Sequence, residues 1–533
     1  MKKLNTLVIL LVVALLVTSF TYAPAGPVAA QGPVVDEAVT EFLNQSDGAA
    51  TLSVIVQSRE GAAVARTAVE AAGGRVTAEL SLVRGVAAEV NRAALQRLIR
   101  DGRLSTITFD YQARATGQVI PEDISPAELL GKADLKKYYV APLDIGARKL
   151  WKKGITGKGV TVAVVDTGFE VTKFLGDDEL EGKEKHGDDH HGKKEKEKGE
   201  HAFKRLLAWV DFVEPGNDKL YDPHGHGTHV AGLIASNLGS KKDRIFMGVA
   251  PQANLVAVRV LDENGGGPYS RVIQGLQWVA DHAAEYNIRV VNLSIVAEPH
   301  SLYVDDVLNQ AVEALWQQGL VVVVAAGNNG PEANTITVPG NDPFVITVGA
   351  IHSHDTALHF EDDIIAPFSS VGPTFEDFVK PEVVAPGVRT ISLLSSKKAT
   401  LNQNSDFAVN GRLSRMSGTS SSAALVSGAA ALLLQARPEL TPNDVKFLLM
   451  STARVGWYDG KPYHPFVQGA GYVWLPDAVR ADVTGNPNEG LEYGVLNIGK
   501  ASLLADLWTG GQTWTGGQIW TGGQIWTGGQ TWT

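Results

Sequence analysis

The sequence predicts an α/β fold, a doubly wound and mainly parallel sheet preceded by a small α+β unit. Three observations carry that prediction. Short β-branched runs at 160–165, 255–260, 290–295, 321–324 and 345–348 alternate with longer helical segments across residues 157–479. Near-continuous apolar runs of that length suit parallel strands covered on both faces, and their alternation with helices implies βαβ units. Residues 423–434 are small or apolar on every side, which marks a helix buried all round. Ahead of this region, residues 50–110 follow the order βαββαβ.

In that first unit, 52–56 alternates as a strand and 61–72 is Ala-rich and helical until Gly73 and Gly74 break it. Strands at 75–82 and 85–90 follow, then an amphipathic helix at 92–100 and a last strand at 104–109. Residues 113–141, polar and holding Pro121 and Pro126, carry no sustained period and are assigned as a linker and processing region.

Composition narrows the function. Of 533 residues, 44% are hydrophobic and 20% charged, enough for a large core and too apolar for a disordered chain. With 58 acidic against 47 basic residues the net charge is −11, which argues against a nucleic-acid partner. The absence of Cys excludes disulfides, Cys-based zinc sites, iron–sulfur clusters and a cysteine nucleophile. At the N-terminus Lys2 and Lys3 precede an apolar run at 7–17, with Ala23, Ala25, Ala29 and Ala30 after it. A secretory signal over residues 1–30 and an uncleaved N-terminal anchor share this layout, and the small residues and short run favour the signal. The expected location is therefore outside the cell, with attachment to the cell surface an open alternative.

Two segments stand apart. The insertion at 176–201 is dense in Lys, Glu and Asp and holds His186, His190, His191 and His201. A solvated loop and a divalent-metal site are both open readings there. After a second linker at 483–507, residues 508–533 repeat a Trp-Thr-Gly-Gly-Gln unit, with Trp508, Trp514, Trp520, Trp526 and Trp532 at a strict period of six. Either the tail is low-complexity chain, or its Trp residues form an aromatic platform for a cell-envelope, glycan or partner surface.

The residues that carry chemistry lie at element ends. Val164, Val165, Asp166, Thr167 and Gly168 close the first strand. Asp222, Pro223, His224, Gly225, His226, Gly227, Thr228 and His229 lead into an apolar helix, and Ser417, Gly418, Thr419 and Ser420 open the buried one. A serine hydroxyl is a poor nucleophile until an imidazole takes its proton, and the imidazole needs a carboxylate to set its tautomer and stabilise its cation. Asp, His and Ser in this order, at sheet-edge positions, form such a set.

Over roughly 145–479 the chain resembles the subtilisin-like serine proteases, on the motifs around Asp166, the run from His226 to Gly232, and Gly418 to Ser420. The resemblance implies that Asp166 orients, His226 is the general base and acid, and Ser420 is the nucleophile. It also implies that Asn328, in Ala325-Ala326-Gly327-Asn328, donates to the oxyanion beside the Ser420 N–H. His224 and His229 are expected to be structural. An extended substrate peptide would lie between Gly265, Gly266 and Gly267 on one side and Ser294, Ile295 and Val296 on the other. Val296 and Ala297 stand where the family usually has two glycines, and Thr337 where a glycine often floors the first pocket, so that pocket should be narrow. Lys241, Lys242 and Arg244 replace the oxygen ligands of a calcium loop found in many relatives, so no calcium site is evident, although structural calcium is not excluded; the chemistry requires no cofactor. The βαββαβ unit resembles the family's ferredoxin-like inhibitory propeptide, here residues 31–112, with residues 142–482 as the catalytic domain. The expected protein is an autoprocessed zymogen of a secreted endopeptidase with broad specificity. Its expected partners are protein and peptide substrates, its own propeptide, and a cell-envelope surface through the repeat tail.

Overall fold

The computed structural model describes residues 32–45, 50–117, 141–170, 205–240, 245–356, 358–396, 398–403, 408–410, 413–482 and 484–496. The signal segment, most of the assigned linker at 113–141, the charged insertion, residues 241–244 and the Trp repeats lie outside them. The chain forms two compact units, which divide after Phe109 apart from Leu80–Val83, grouped with the larger.

In the smaller unit, β1 (Val34–Val35) and α1 (Glu37–Gln45) precede β2 (Thr51–Ser58), α2 (Ala62–Ala72), β3 (Arg75–Leu80), β4 (Gly85–Asn91), α3 (Arg92–Leu98) and β5 (Leu104–Phe109). The sheet order β1-β5-β2-β4-β3 contains the expected βαββαβ core as a ferredoxin-like 4-1-3-2 arrangement. Gly73, at φ 83°, ends α2 in the left-handed conformation that glycine adopts without a Cβ penalty, and its N–H bonds back to the last turn. The Asn91 side chain caps α3 by accepting from Ala94 N at 2.9 Å. Val54, Val56, Val69, Val86, Leu95 and Ile107 form the centre of a continuous core. β1 and α1 were not anticipated, because a two-residue strand has no readable period.

The larger unit begins with β6 (Gln112–Ala115) and continues through α4 (Ala147–Trp151), β7 (Thr161–Asp166), β8 (Leu206–Asp211), α5 (His226–Ala235) and β9 (Asn254–Arg259). Then come β10 (Gly266–Pro268), α6 (Tyr269–His282), β11 (Ile288–Leu293), β12 (Ile295–Val296), α7 (Val307–Gln317), β13 (Val321–Ala325) and β14 (Ile346–His352). β15 (Ile364–Ile365), β16 (Val383–Pro386) and α8 (Thr419–Ala436) complete the frame. The main sheet runs β15-β14-β13-β11-β7-β9-β8, with β16 on β14, and all its pairings are parallel except β14 with β15. Strand order reverses at β7, so the crevice beyond its carboxyl end is the switch point where ligands bind in such sheets.

α8 runs against α5 and against β7, β11, β13, β14 and β16. Its small residues allow this closeness: a Cβ on Gly428 would lie 2.6 Å from Val249 Cβ. β6 begins at Gln112, the last residue assigned to the propeptide, and runs on to Ala115 in the assigned linker, so the sequence-based boundary at 112/113 cuts a strand. Four residues carry too little pattern to read, and among the described residues β6 pairs with the short β10 and β12 alone.

A buried charged cluster closes one side of this unit. Lys380 Nζ donates to Glu382 Oε1 at 2.7 Å, and Lys446 Nζ approaches the same oxygen at 2.9 Å while donating to Pro343 O and Asn488 Oδ1. Buried Glu313 and Asp342 lie nearby, and burial raises both carboxyls, Glu313 to about 9 and Asp342 to about 7. A carboxyl raised in the folded state keeps a proton that the unfolded chain has released, so stability falls as pH rises between about 4.5 and 9. Glu313→Gln, which does not titrate, is therefore expected to flatten the decline of Tm across that window. Calorimetry of both proteins from pH 5 to 9 checks this, and parallel Tm curves would refute it.

Candidate active site

β7 ends in Asp166, which places a buried carboxylate at the switch point. Its Oδ1 accepts from Thr167 N and from His226 Nδ1, both at 2.7 Å. With Nδ1–H committed to Asp166, the His226 tautomer leaves Nε2 as an acceptor. His226 opens α5, and Asp222 holds the turn before it. Asp222 Oδ1 accepts from Thr167 Oγ1 and Gly225 N, and its Oδ2 accepts from Thr228 N and Thr228 Oγ1. One carboxylate thus ties the end of β7 to the start of α5. No role was assigned to Asp222 from sequence, although its place four residues before His226 was visible.

Ser420 lies in the first turn of α8, where backbone N–H groups lack intrahelical acceptors. Ser420 Oγ and His226 Nε2 are both buried without a hydrogen-bond partner. Asn328 follows β13, and its Oδ1 accepts from Thr419 N and Thr419 Oγ1, both at 2.9 Å, which turns its Nδ2 outward as a donor. Ser294 Oγ donates to Ser420 O at 2.9 Å and accepts from Asn292 Nδ2, whose Oδ1 accepts from Ser427 Oγ. These hydroxyl and amide links lock the start of α8 to the end of β11. Sequence pattern gave no role to Thr419, Asn292 or Ser427: Thr419 meets Asn328 91 residues away, and Ser427 meets Asn292 135 residues away.

The residues expected to bind substrate flank a segment of the chain itself. β6 pairs antiparallel with β10, matching Arg114 to Gly266 and Ala113 to Gly267, and with β12, matching Ala115 to Ile295 and Arg114 to Val296. Ala115 N donates to Gly265 O at 2.8 Å. Asp110 anchors the start of the segment by accepting from Ser270 N and Ser270 Oγ. At its far end Asn328 Nδ2 donates to Thr116 O. A Cβ on Gly418 would lie 2.8 Å from Thr116 O, 3.1 Å from Ser420 Oγ and 3.2 Å from Asn328 Nδ2, so these three groups converge. On the other side, a Cβ on Gly117 would lie 2.8 Å from His226 Cδ2 and collide with Met416 Cε. The Thr116–Gly117 peptide bond is thus bracketed by Asn328 and Ser420 on one side and His226 on the other.

Thr337 is buried, donates through Oγ1 to Ala326 O and packs against Gly327, next to Asn328. His224 and His229 play structural parts. Burial lowers His229 to about 3, and it bonds Thr390 O at 3.2 Å as a neutral ring. His224, lowered by burial to about 4, packs on Gly265 and buttresses that wall. Among the described residues no group of three His, Asp or Glu side chains could hold a metal ion. The His residues of the charged insertion and the cations at 241–244 fall outside them.

Residues 157–471 match the model of the subtilase family. The chain is 35% identical over 379 residues to the serine protease AprX of Bacillus subtilis, covering 69% of this chain and 78% of that protein. It is 31% identical over 383 residues to subtilisin E of the same species, covering 72% and 78%. A crystal structure of fervidolysin from Fervidobacterium pennivorans, a keratinolytic enzyme related to subtilisin, superposes with a TM-score of 0.60 at 23% identity. That match covers 85% of this chain and 63% of the neighbour and shows the shared fold. A buried Asp–His pair at the switch point of this sheet, in a chain so related, makes the protein a serine endopeptidase belonging to the subtilase family.

Proposed function

We propose that the protein is a secreted zymogen that cuts its own Thr116–Gly117 bond and then hydrolyses protein substrates through an acyl-enzyme. The observation that carries this reading is the Thr116 carbonyl held against Asn328 Nδ2, with Ser420 Oγ beside it. In the proposed reaction His226 Nε2 takes the Ser420 hydroxyl proton while Asp166 holds Nδ1–H and stabilises the imidazolium. Ser420 Oγ attacks the Thr116 carbonyl carbon. Asn328 Nδ2 and the Ser420 N–H donate to the oxyanion, a stabilisation that grows as charge develops. Collapse breaks the C–N bond, His226 passes its proton to the Gly117 amine, and water activated by the same imidazole releases the acyl group. No cofactor takes part.

The same walls would hold other substrates as an added strand. Recognition of backbone supports broad specificity, while Thr337 and Val296 narrow the first pocket. In this reading residues 31–116 form the propeptide, with the βαββαβ unit as its folded part and 110–116 as its inhibitory end. The basic and apolar N-terminal run supports export. The Trp repeats at 508–533 would supply contact with the cell envelope.

Ser420→Ala is expected to lower peptide hydrolysis by about 10⁶-fold and to leave the chain uncut. Intact mass and N-terminal sequencing of the active protein should give Gly117 as the first residue. A mature terminus elsewhere would refute the register. Asn328→Ala should lower kcat by about 10² to 10³-fold with little change in KM, the size of effect seen when subtilisin loses its oxyanion-hole asparagine; steady-state kinetics read the split. For the first pocket, peptides with Phe or Tyr before the cut should be poorer than those with small or medium apolar residues by about 10 to 200-fold in kcat/KM. A library cleaved best after Phe or Tyr would reject that assignment.

A further inference from the structure

The register that brings Thr116 to Asn328 makes Arg114 the third residue before the Thr116–Gly117 bond and Tyr111 the sixth. The backbone at Arg114 is matched to Gly266 on one wall and Val296 on the other. Strand side chains alternate in direction, so Arg114 leaves the opposite face from Ala113 and Ala115. It reaches Glu298, two residues beyond β12, with Nη2 3.0 Å from Oε1. Both side chains are more than half exposed, at 64% and 52%. Tyr111 stacks on His300 at 3.9 Å between ring centroids, with the planes 9° apart. Residues 298 and 300 therefore each meet a side chain of the bound segment.

Neither contact is needed to place the scissile bond. The paired strands, Asp110 with Ser270, and Asn328 with Thr116 do that. The wall opposite Glu298 carries Asp262, which accepts from Asn264 N and Gly266 N, and then Glu263. Arg271 lies beside Gly267, opposite Ala113 and one position away from Arg114. Glu298 is thus the charged group shown in contact with Arg114, with Asp262 placed by Gly266 on the facing wall.

We propose that Glu298 is a specificity-determining residue that selects a basic side chain at the third position before the scissile bond. The favoured substrates are extended basic peptides with small residues at the two positions next to the cut. This rests on the Thr116 register proposed above. An exposed ion pair of this kind contributes about 1.5 to 5-fold in a rate or binding constant, so the selectivity is graded, not absolute. Because the pair is exposed, it weakens at high salt.

The test uses the processed full-chain protein and fluorogenic peptides Tyr-Gln-Ala-Xaa-Ala-Thr-Gly, with Xaa as Arg or Glu. The kcat/KM ratio of the Arg to the Glu peptide is expected to be about 3 to 10-fold at low salt. It should shrink in 1 M NaCl, approach unity in Glu298→Gln and invert in Glu298→Arg. A residue that merely supported the wall would change both peptides alike and leave the ratio untouched. Equal ratios in the parent protein and Glu298→Arg overturn the inference while leaving the hydrolase reading intact. Failure to cut either peptide, by a protein that still hydrolyses casein, overturns the register and this inference with it.

Discussion

Burial of α8 on every side is the constraint on which the remaining architecture depends. A helix surrounded by α5 and by strands from both sides of the switch point cannot carry polar bulk, and its sequence from Thr419 to Ala436 has small or apolar residues almost throughout. Tight packing also removes the freedom to slide. The start of the helix is therefore held where Ser420 meets the carboxyl edge of the sheet. Had α8 been amphipathic and peripheral, its first turn would fray in water. The polar links around that turn, Ser294 to Ser420 O and Thr419 to Asn328, are buried hydrogen bonds whose loss would leave unsatisfied groups.

Two carboxylates divide the work on the other side of the crevice. Asp166 spends one oxygen on the His226 imidazole, and Asp222 spends both oxygens on backbone and hydroxyl donors around it. The consequence is a ring whose tautomer and plane are set before any substrate arrives. Such preorganisation lowers the cost of reaching the charged transition state, because little has to reorient when charge develops. Neutral His229, within α5, adds no competing positive charge at neutral pH.

A chain segment paired as a strand between β10 and β12 lies beside the Asp166–His226 pair and Ser420. β6 supplies backbone partners that β10 and β12, both very short, would otherwise lack. The same pairing brings one peptide bond to Ser420 and two side chains to Glu298 and His300. The pairing with both walls runs through backbone, while the side chains at 111 and 114 add a ring stack and an exposed ion pair.

Much of this was legible in the amino-acid order. Period-two and apolar runs identified the βαββαβ core and the parallel strands, and the motifs around Asp166, His226 and Ser420 carried their chemistry on their face, because an acyl-transfer set uses few residue types. Asn328 was singled out only through the resemblance of Ala325, Ala326, Gly327 and Asn328 to a family segment, and its bonds to Thr419 and Thr116 come from the folded chain. Sequence did not disclose β6, whose conformation comes from partners about 150 to 180 residues away and not from its own propensity. Nor did it disclose the positioning roles of Asp222, Thr419, Asn292 and Ser427, since a Ser, Thr or Asn looks the same in a turn as in a buried network. The sequence by itself determined the fold class and the kind of chemistry, through local pattern and residue type. Only the tertiary structure decided that the Thr116–Gly117 bond lies beside Ser420 and His226 and that Arg114 and Tyr111 meet Glu298 and His300, because both depend on the register of strands that are distant in the chain.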